Sequence, residues 1–139
     1  NKSRAARHQN FTFWYLNFDL YIMQIIITGK GIELTEAIKT YAEDKISGLD
    51  KFYDKILSAK IVVGVESHHH QKGDVFMAEC KLDVPGKDLF ASKMETTLYK
   101  AIDKVRDYLE SELKKYKALR QEKTKAARRD VRDGKEYSE

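Results

Sequence analysis

The strongest constraint on the fold lies between Val75 and Val84, where Phe76, Ala78, Cys80, Leu82 and Val84 alternate with Met77, Glu79, Lys81 and Asp83. Successive side chains of a strand point to opposite faces, so this period of two predicts a strand with one buried and one largely wet face. Pro85-Gly86 follows as a turn signal, and Lys87–Ser92 returns as a fourth strand paired with the third. A hairpin with one apolar face is not stable alone; a second layer has to cover that face.

The rest of the chain supplies the cover. Gln24–Thr28 contains Ile25-Ile26-Ile27 and ends at Gly29-Lys30-Gly31, a buried strand followed by a turn. Thr35 is suited to cap a helix running to about Gly48, on which Ile38, Tyr41, Ala42, Ile46 and Leu49 recur at steps of three and four. Phe52 and Ile56 close the following loop onto the core. Lys60–Glu66 forms a second strand with Ile61, Val63 and Val65 on one side, and Ser67–Asp74 is a polar loop. A long helix runs from about Glu95 to at least Leu119, with a charged, frayed tail after it. The order β-α-β-β-β-α predicts an α+β two-layer sandwich, a four-stranded sheet with both helices on one face.

Three segments follow. Residues 23–119 form the domain, opened by Met23. Residues 1–22 are an extension upstream of it, native or foreign. Its aromatics (Phe11, Phe13, Trp14, Tyr15, Phe18, Tyr21) are able to add an edge strand or to cover an apolar surface, and the sequence leaves that choice open. Residues 120–139 are a basic, flexible tail or linker. Lys2, Arg4 and Arg7 before the run 11–22 faintly resemble a signal peptide, but Asn17 and Asp19 interrupt the run and no small-residue cleavage site follows. No apolar stretch reaches the ~20 residues of a membrane span. Cys80 is the one cysteine, which excludes an intramolecular disulfide and fits a reducing compartment.

The formal charge of +4 says little until the charges are placed. From Lys114 to Lys135 ten Lys/Arg stand against three acids, Glu122, Asp130 and Asp133, a net of +7 that leaves −3 for the remainder. This asymmetry points to an anionic partner at the C-terminal end, against the plainer reading of a solvated tail. At about 100° per residue, Leu98, Ile102, Val105, Leu109, Leu113 and Tyr116 share one sector of the long helix and form its core stripe. Opposite them lie Lys100, Lys104 and Lys115, with Lys93 just before the helix and Lys114 nearby. Arg106 and Lys117 flank the stripe. Such a row suits a phosphate backbone, whose contacts add up, depend on salt and carry no base information. An ordinary solvated face, partly neutralised by Asp103, Asp107 and Glu110, is the competing interpretation.

Other chemistry is weakly supported. His68-His69-His70 cannot all address one ion with good geometry, no second Cys or His cluster accompanies them, and no metal or cofactor is expected. Gly29-Lys30-Gly31 is too short for a phosphate loop, and no Ser/His/Asp arrangement or G-x-S-x-G motif occurs, so the chain is not expected to be an enzyme or to take a small-molecule substrate. Cys80, on the buried side of its strand, is a core residue rather than a nucleophile. Tyr41 and Tyr99 are better suited to packing than to stacking on bases.

From Met23 onward four stretches carry a resemblance. They are Met23-Gln-Ile-Ile-Ile-Thr-Gly-Lys-Gly-Ile-Glu-Leu-Thr-Glu-Ala-Ile, Leu49-Asp-Lys-Phe-Tyr-Asp-Lys-Ile, Ala91-Ser92, and Leu98-Tyr99-Lys-Ala-Ile-Asp103. In this order and spacing, roughly over residues 23–117, the chain resembles the ribosome hibernation-promoting factors, also called ribosome-associated inhibitor A, protein Y or sigma-54 modulation protein. The resemblance implies a β-α-β-β-β-α fold with the topology of double-stranded RNA-binding domains. It implies a cytoplasmic protein that binds the small ribosomal subunit and its rRNA, occupies the mRNA and tRNA channel, and inhibits translation under stress. It also implies that the second-helix lysines face rRNA. The expected contacts are Lys30, Lys93, Lys100, Lys104, Arg106, Lys114, Lys115, Lys117 and Arg120. This chain departs from the family at Thr97, where Asp is usual, and at Tyr108 and Ser111, where Lys and Arg are common. Longer members add a domain that pairs two ribosomes, so a second copy is a further expected partner if such a domain exists. Two rivals remain: a general double-stranded RNA-binding module, and a self-assembling protein-interaction domain.

Overall fold

A computed structural model describes residues 23–69 and 73–136. Strand β1 (Gln24–Lys30) leads through helix α1 (Glu36–Ser47) and a 3-10 turn (Gly48–Lys51) into β2 (Ser58–His69); β3 (Gly73–Val84), β4 (Lys87–Glu95) and helix α2 (Leu98–Glu136) complete the chain order. The sheet order is β1-β2-β3-β4, with β1 parallel to β2 and the other pairs antiparallel. A parallel pair requires a crossover, and α1 provides it. The expected α+β sandwich is therefore present. The extension 1–22, with its alternatives, lies outside the described residues, as does His70.

Local chemistry explains each element. Thr35 caps α1 by accepting the Ile38 N–H at 3.3 Å, a contact worth about 1 kcal/mol. Pro85 and Gly86 turn β3 into β4, with Gly86 at φ 86°, a conformation that glycine adopts without steric cost. Gly64 sits opposite Lys30, and a Cβ there would collide with the Lys30 carbonyl oxygen, so close β1–β2 pairing requires glycine at this position.

The register places Ala59, Ile61 and Val63 of β2 beside Leu82, Cys80 and Ala78 of β3, and Leu82 and Cys80 beside Leu89 and Ala91 of β4. This inner face joins Ala42, Ile46 and Leu49 of the first helical segment and Leu98, Ala101, Ile102, Val105, Leu109 and Leu113 of α2 in one core. Cys80 is fully buried there, and burial pushes its thiol up to about 12. The outer face carries exposed Ile26, Phe90 and Met94 beside Lys60 and Lys81.

The element ends differ from expectation. β2 and β3 extend into the predicted polar loop 67–74, because a bulge between Val65 and Ser67 shifts the register and pairing resumes to His69↔Gly73. β4 runs on to Glu95 rather than Ser92, since Met94↔Met77 and Glu95↔Phe76 continue the ladder. The long helix consequently starts at Leu98 instead of Glu95. Thr97 accepts the Lys100 N–H at 3.2 Å there, performing the capping task for which Asp is equally suited. At its other end α2 continues past Leu119 to Glu136. The segment is rich in Lys, Arg, Ala, Gln and Glu, which favour helix, and has no Gly or Pro before Gly134.

Candidate nucleic-acid interface

One stripe of α2 is committed to the core, and geometry therefore turns the opposite sector outward. On the flank facing β4, Lys93 stands on the strand opposite Ala78, not on the helix, and its Nζ lies 4.6 Å from the centre of the Tyr108 ring. Lys104 forms an ion pair with Glu95 at the end of β4. The hydrogen bond from Lys104 holds the Glu95 carboxyl below its ordinary value, with Lys100 adding to the field. Lys115 pairs with Glu112 at 3.3 Å. Lys100 is exposed, and no ion pair of its side chain is seen among the described residues.

The flank facing α1 and the 3-10 turn is a second cluster. Arg106 donates to Glu110 at 2.6 Å and to Asp107 at 3.1 Å, and Lys114 donates to Glu110 at 2.9 Å. Both cations lie over Phe52, Arg106 at 5.7 Å and Lys114 at 4.9 Å from its ring centre. The Lys114 hydrogen bond, helped by the charge of Arg106, holds the Glu110 carboxyl low. Farther along, Lys117 is exposed. Arg120 donates to the Pro85 carbonyl at 2.7 Å and to the Tyr116 hydroxyl at 3.0 Å. Tyr116 also donates to the Pro85 carbonyl, so the pair clamps α2 to the β3–β4 turn.

Eight of the nine expected cations thus line α2 or its border with β4, but Lys30 does not join them. It ends β1 on the opposite edge of the sheet, and its register with Gly64 turns it to the face away from the helices. Of the expected neutralising acids, Asp107 and Glu110 do lie in the row. Asp103 instead serves the helix–helix contact: it accepts from the Tyr41 hydroxyl at 2.6 Å and pairs with Lys45 at 3.5 Å. That hydrogen bond raises Tyr41 to about 12, and Tyr41 packs edge-on against Tyr99 at 4.8 Å. Sequence reasoning missed Glu95 as a counterion because it placed that residue in the helix. It also missed the rings of Tyr108 and Phe52 under the cations, although aromatic residues beside a lysine row are the available signal.

The arrangement is an exposed surface on which Lys104, Arg106, Lys114 and Lys115 already have carboxylate partners. Surface ion pairs are worth about 0–1 kcal/mol, so exchanging a carboxylate for a phosphate costs little. Among the described residues no group of three or more His, Cys, Asp or Glu is placed to hold a metal ion, and no helix is long and apolar enough to cross a membrane.

Comparison with known proteins identifies the family and the fold. A ribosome hibernation promotion factor of Deinococcus radiodurans is 36% identical over 98 residues, 68% of this chain and 50% of the relative, so the chain spans about half the length of that protein. The ribosome hibernation promoting factor of Escherichia coli K12 is 33% identical over 95 residues, 68% of this chain and 94% of the relative. The N-terminal domain of Thermus thermophilus Protein Y superposes with a TM-score of 0.57 at 32% identity, covering 68% of this chain and 97% of that one. A ribosomal subunit interface protein from Coxiella burnetii gives 0.61 at 25% identity, over 69% and 99% of the two chains. The family model described as Sigma 54 modulation protein / S30EA ribosomal protein matches residues 25–121, and the chain belongs to that family.

Proposed function

We propose that this protein is a ribosome hibernation factor of the cytoplasm that binds the small ribosomal subunit through the exposed face of α2 and blocks the mRNA and tRNA channel by occupying it. The observation that carries this reading is the double row of cations on α2 and its border with β4, Lys93 of the strand with Lys100, Lys104 and Lys115 on one flank and Arg106, Lys114 and Lys117 on the other. It stands on a domain whose relatives carry hibernation and subunit-interface names. Lysine and arginine on a rigid helix neutralise phosphates without reading bases, as a protein that recognises folded rRNA by shape needs to do. Arg120, clamped to Pro85, positions the end of the row as well as adding charge. Lys30 stands apart and is at most a contact to a different strand of RNA. The action is steric, with the bound domain itself as the obstacle.

Co-sedimentation with purified bacterial ribosomes at low and high salt, beside a naked RNA duplex, tests the proposal. Saturable binding to the small subunit that is lost at high salt and exceeds binding to the duplex is the expected result. Equal affinity for duplex and subunit would convert the protein into a general RNA-binding module. No binding in either condition would leave the family fold without this function.

A further inference from the structure

Beyond Arg120, the last residue of α2 bonded to the body among the described residues, every described side chain from Gln121 to Gly134 is exposed. Its charges are not spread evenly. At about 100° per residue, Lys114, Lys117, Gln121, Lys125, Arg128 and Arg132 fall within one sector, with Arg129 at its edge, and no acid from Ser111 to Asp133 enters it. Glu122, Asp130 and Asp133 lie on the opposite side together with Leu119 and Ala126. Positive charge therefore recurs at steps of three or four residues, about 5–6 Å along the axis, from Lys114 to Lys117 and again from Lys125 to Arg132, with neutral Gln121 between the two groups.

The basic side of this arm also faces the body. Between the arm and the loop after the 3-10 turn runs an open groove of about 560 Å³. Lys55 lines it from the body, and Lys117, Arg120, Lys125 and Arg128 line it from the arm. Asp54 is the one acid on its wall among the described residues. We infer that the angle between the arm and the body is a second RNA-binding element, a cleft for a sugar-phosphate backbone lying outside the surface formed by the packed part of α2. The inference rests on the RNA-binding reading above, but not on the decoding channel as the site.

The energetics support an RNA backbone as occupant. Lys125 and Arg129, and Arg128 and Arg132, are like charges at a spacing of four, which costs a free helix a few tenths of a kcal/mol per pair. Among the described residues no tertiary contact repays this, and a free helix of this length is marginal in water. A polyanion in the cleft turns each repulsion into a shared attraction and releases counterions. The arm is therefore more ordered with RNA bound than without it.

The test uses the full chain and two variants, K125Q/R128Q/R129Q/R132Q for the arm and K100Q/K104Q for the packed helix. Affinity is measured for an RNA duplex of about 16 base pairs and for purified small subunits across a salt series. Hydrogen exchange across 121–136 is followed alongside. The arm variant is expected to bind roughly tenfold more weakly at low salt, with the logarithmic salt slope reduced by about 3, an unchanged melting temperature, and loss of the RNA-induced protection that the parent shows. An arm variant that keeps the parent's slope, while K100Q/K104Q loses affinity, overturns this inference and leaves the proposed function standing. Loss of neither overturns both assignments. A parent chain that dimerises at high salt with the arm protected in the absence of RNA assigns the arm to a second copy and also overturns the inference.

Discussion

The first half of α2 and its second half belong to one continuous helix, yet different forces hold them. From Leu98 to Tyr116 a buried stripe fixes the helix against β3 and β4, and the ion pairs on its back add only a small increment to that. From Gln121 to Gly134 every described side chain is exposed, and helix propensity rather than packing opposes the repulsion among the cations. The packed half positions charge; the projecting half carries a higher density of it. Rigidity and charge are thus separated along a single element, and substitutions in the two halves are expected to change different observables.

The largest effect should come from the packed half. Leu109→Ala removes a fully buried side chain where α2 meets the sheet and should cost about 2–5 kcal/mol of unfolding free energy in denaturant titration. A loss under 1 kcal/mol would mean that α2 is not the keystone of the core. Next, Lys100, Lys104 and Lys115 replaced together by Ala should leave the melting temperature within a few degrees of the parent. Ribosome binding should weaken at least tenfold, with the salt slope falling by about 3. Unaltered binding would remove the packed half from the interface.

Tyr116→Phe tests the border between the halves. It deletes the hydrogen bond from the tyrosine hydroxyl to Pro85 and leaves Arg120 with its Pro85 bond alone, so a loss of about 1 kcal/mol is expected, together with faster hydrogen exchange in the last packed turn. Glu110→Gln should act in the opposite sense on binding, because it releases Arg106 and Lys114. Affinity for small subunits should rise severalfold at neutral pH. The depressed carboxyls of Glu95 and Glu110 also set a pH dependence. Their contribution to stability is present above the unfolded value of 4.5 and is lost as the pH falls through their lower folded values, so acid titration of the melting temperature should show a shallow decline there that Glu110→Gln reduces. The smallest effect belongs to the arm: Leu119→Ala, at an exposed position, should change stability by less than about 0.5 kcal/mol.

The same division explains what was legible in the sequence. Periodicity marks burial, so the β3 alternation and the stripe from Leu98 to Tyr116 disclosed the strands, the packed helix and the inner face. Thr35 and Pro85-Gly86 marked two boundaries by local chemistry. Where burial stops, apolar periodicity stops. The continuation of α2 through 120–136 rests on propensity summed over many weak contributors, and was read as a frayed tail. The extension of β2 and β3 past Glu66 depends on a bulge that no hydrophobic pattern records. For the site, the cation row was visible, but its partners were not: Glu95 enters it because β4 runs three residues longer, and Lys30 leaves it because strand register turns it to the far face.

Cys80 offers a use of the fold that is independent of RNA. It is the single thiol of the chain, it lies in the middle of β3 on the inner face, and its proton is held to about pH 12. A thiol reagent at neutral pH finds no thiolate and no access until the sheet separates from its helices. Labelling of this one atom is therefore a clock for opening of the core. Run with and without ribosomes, it measures how far a bound partner slows the spontaneous opening of the domain, with no probe attached anywhere near the cationic surface.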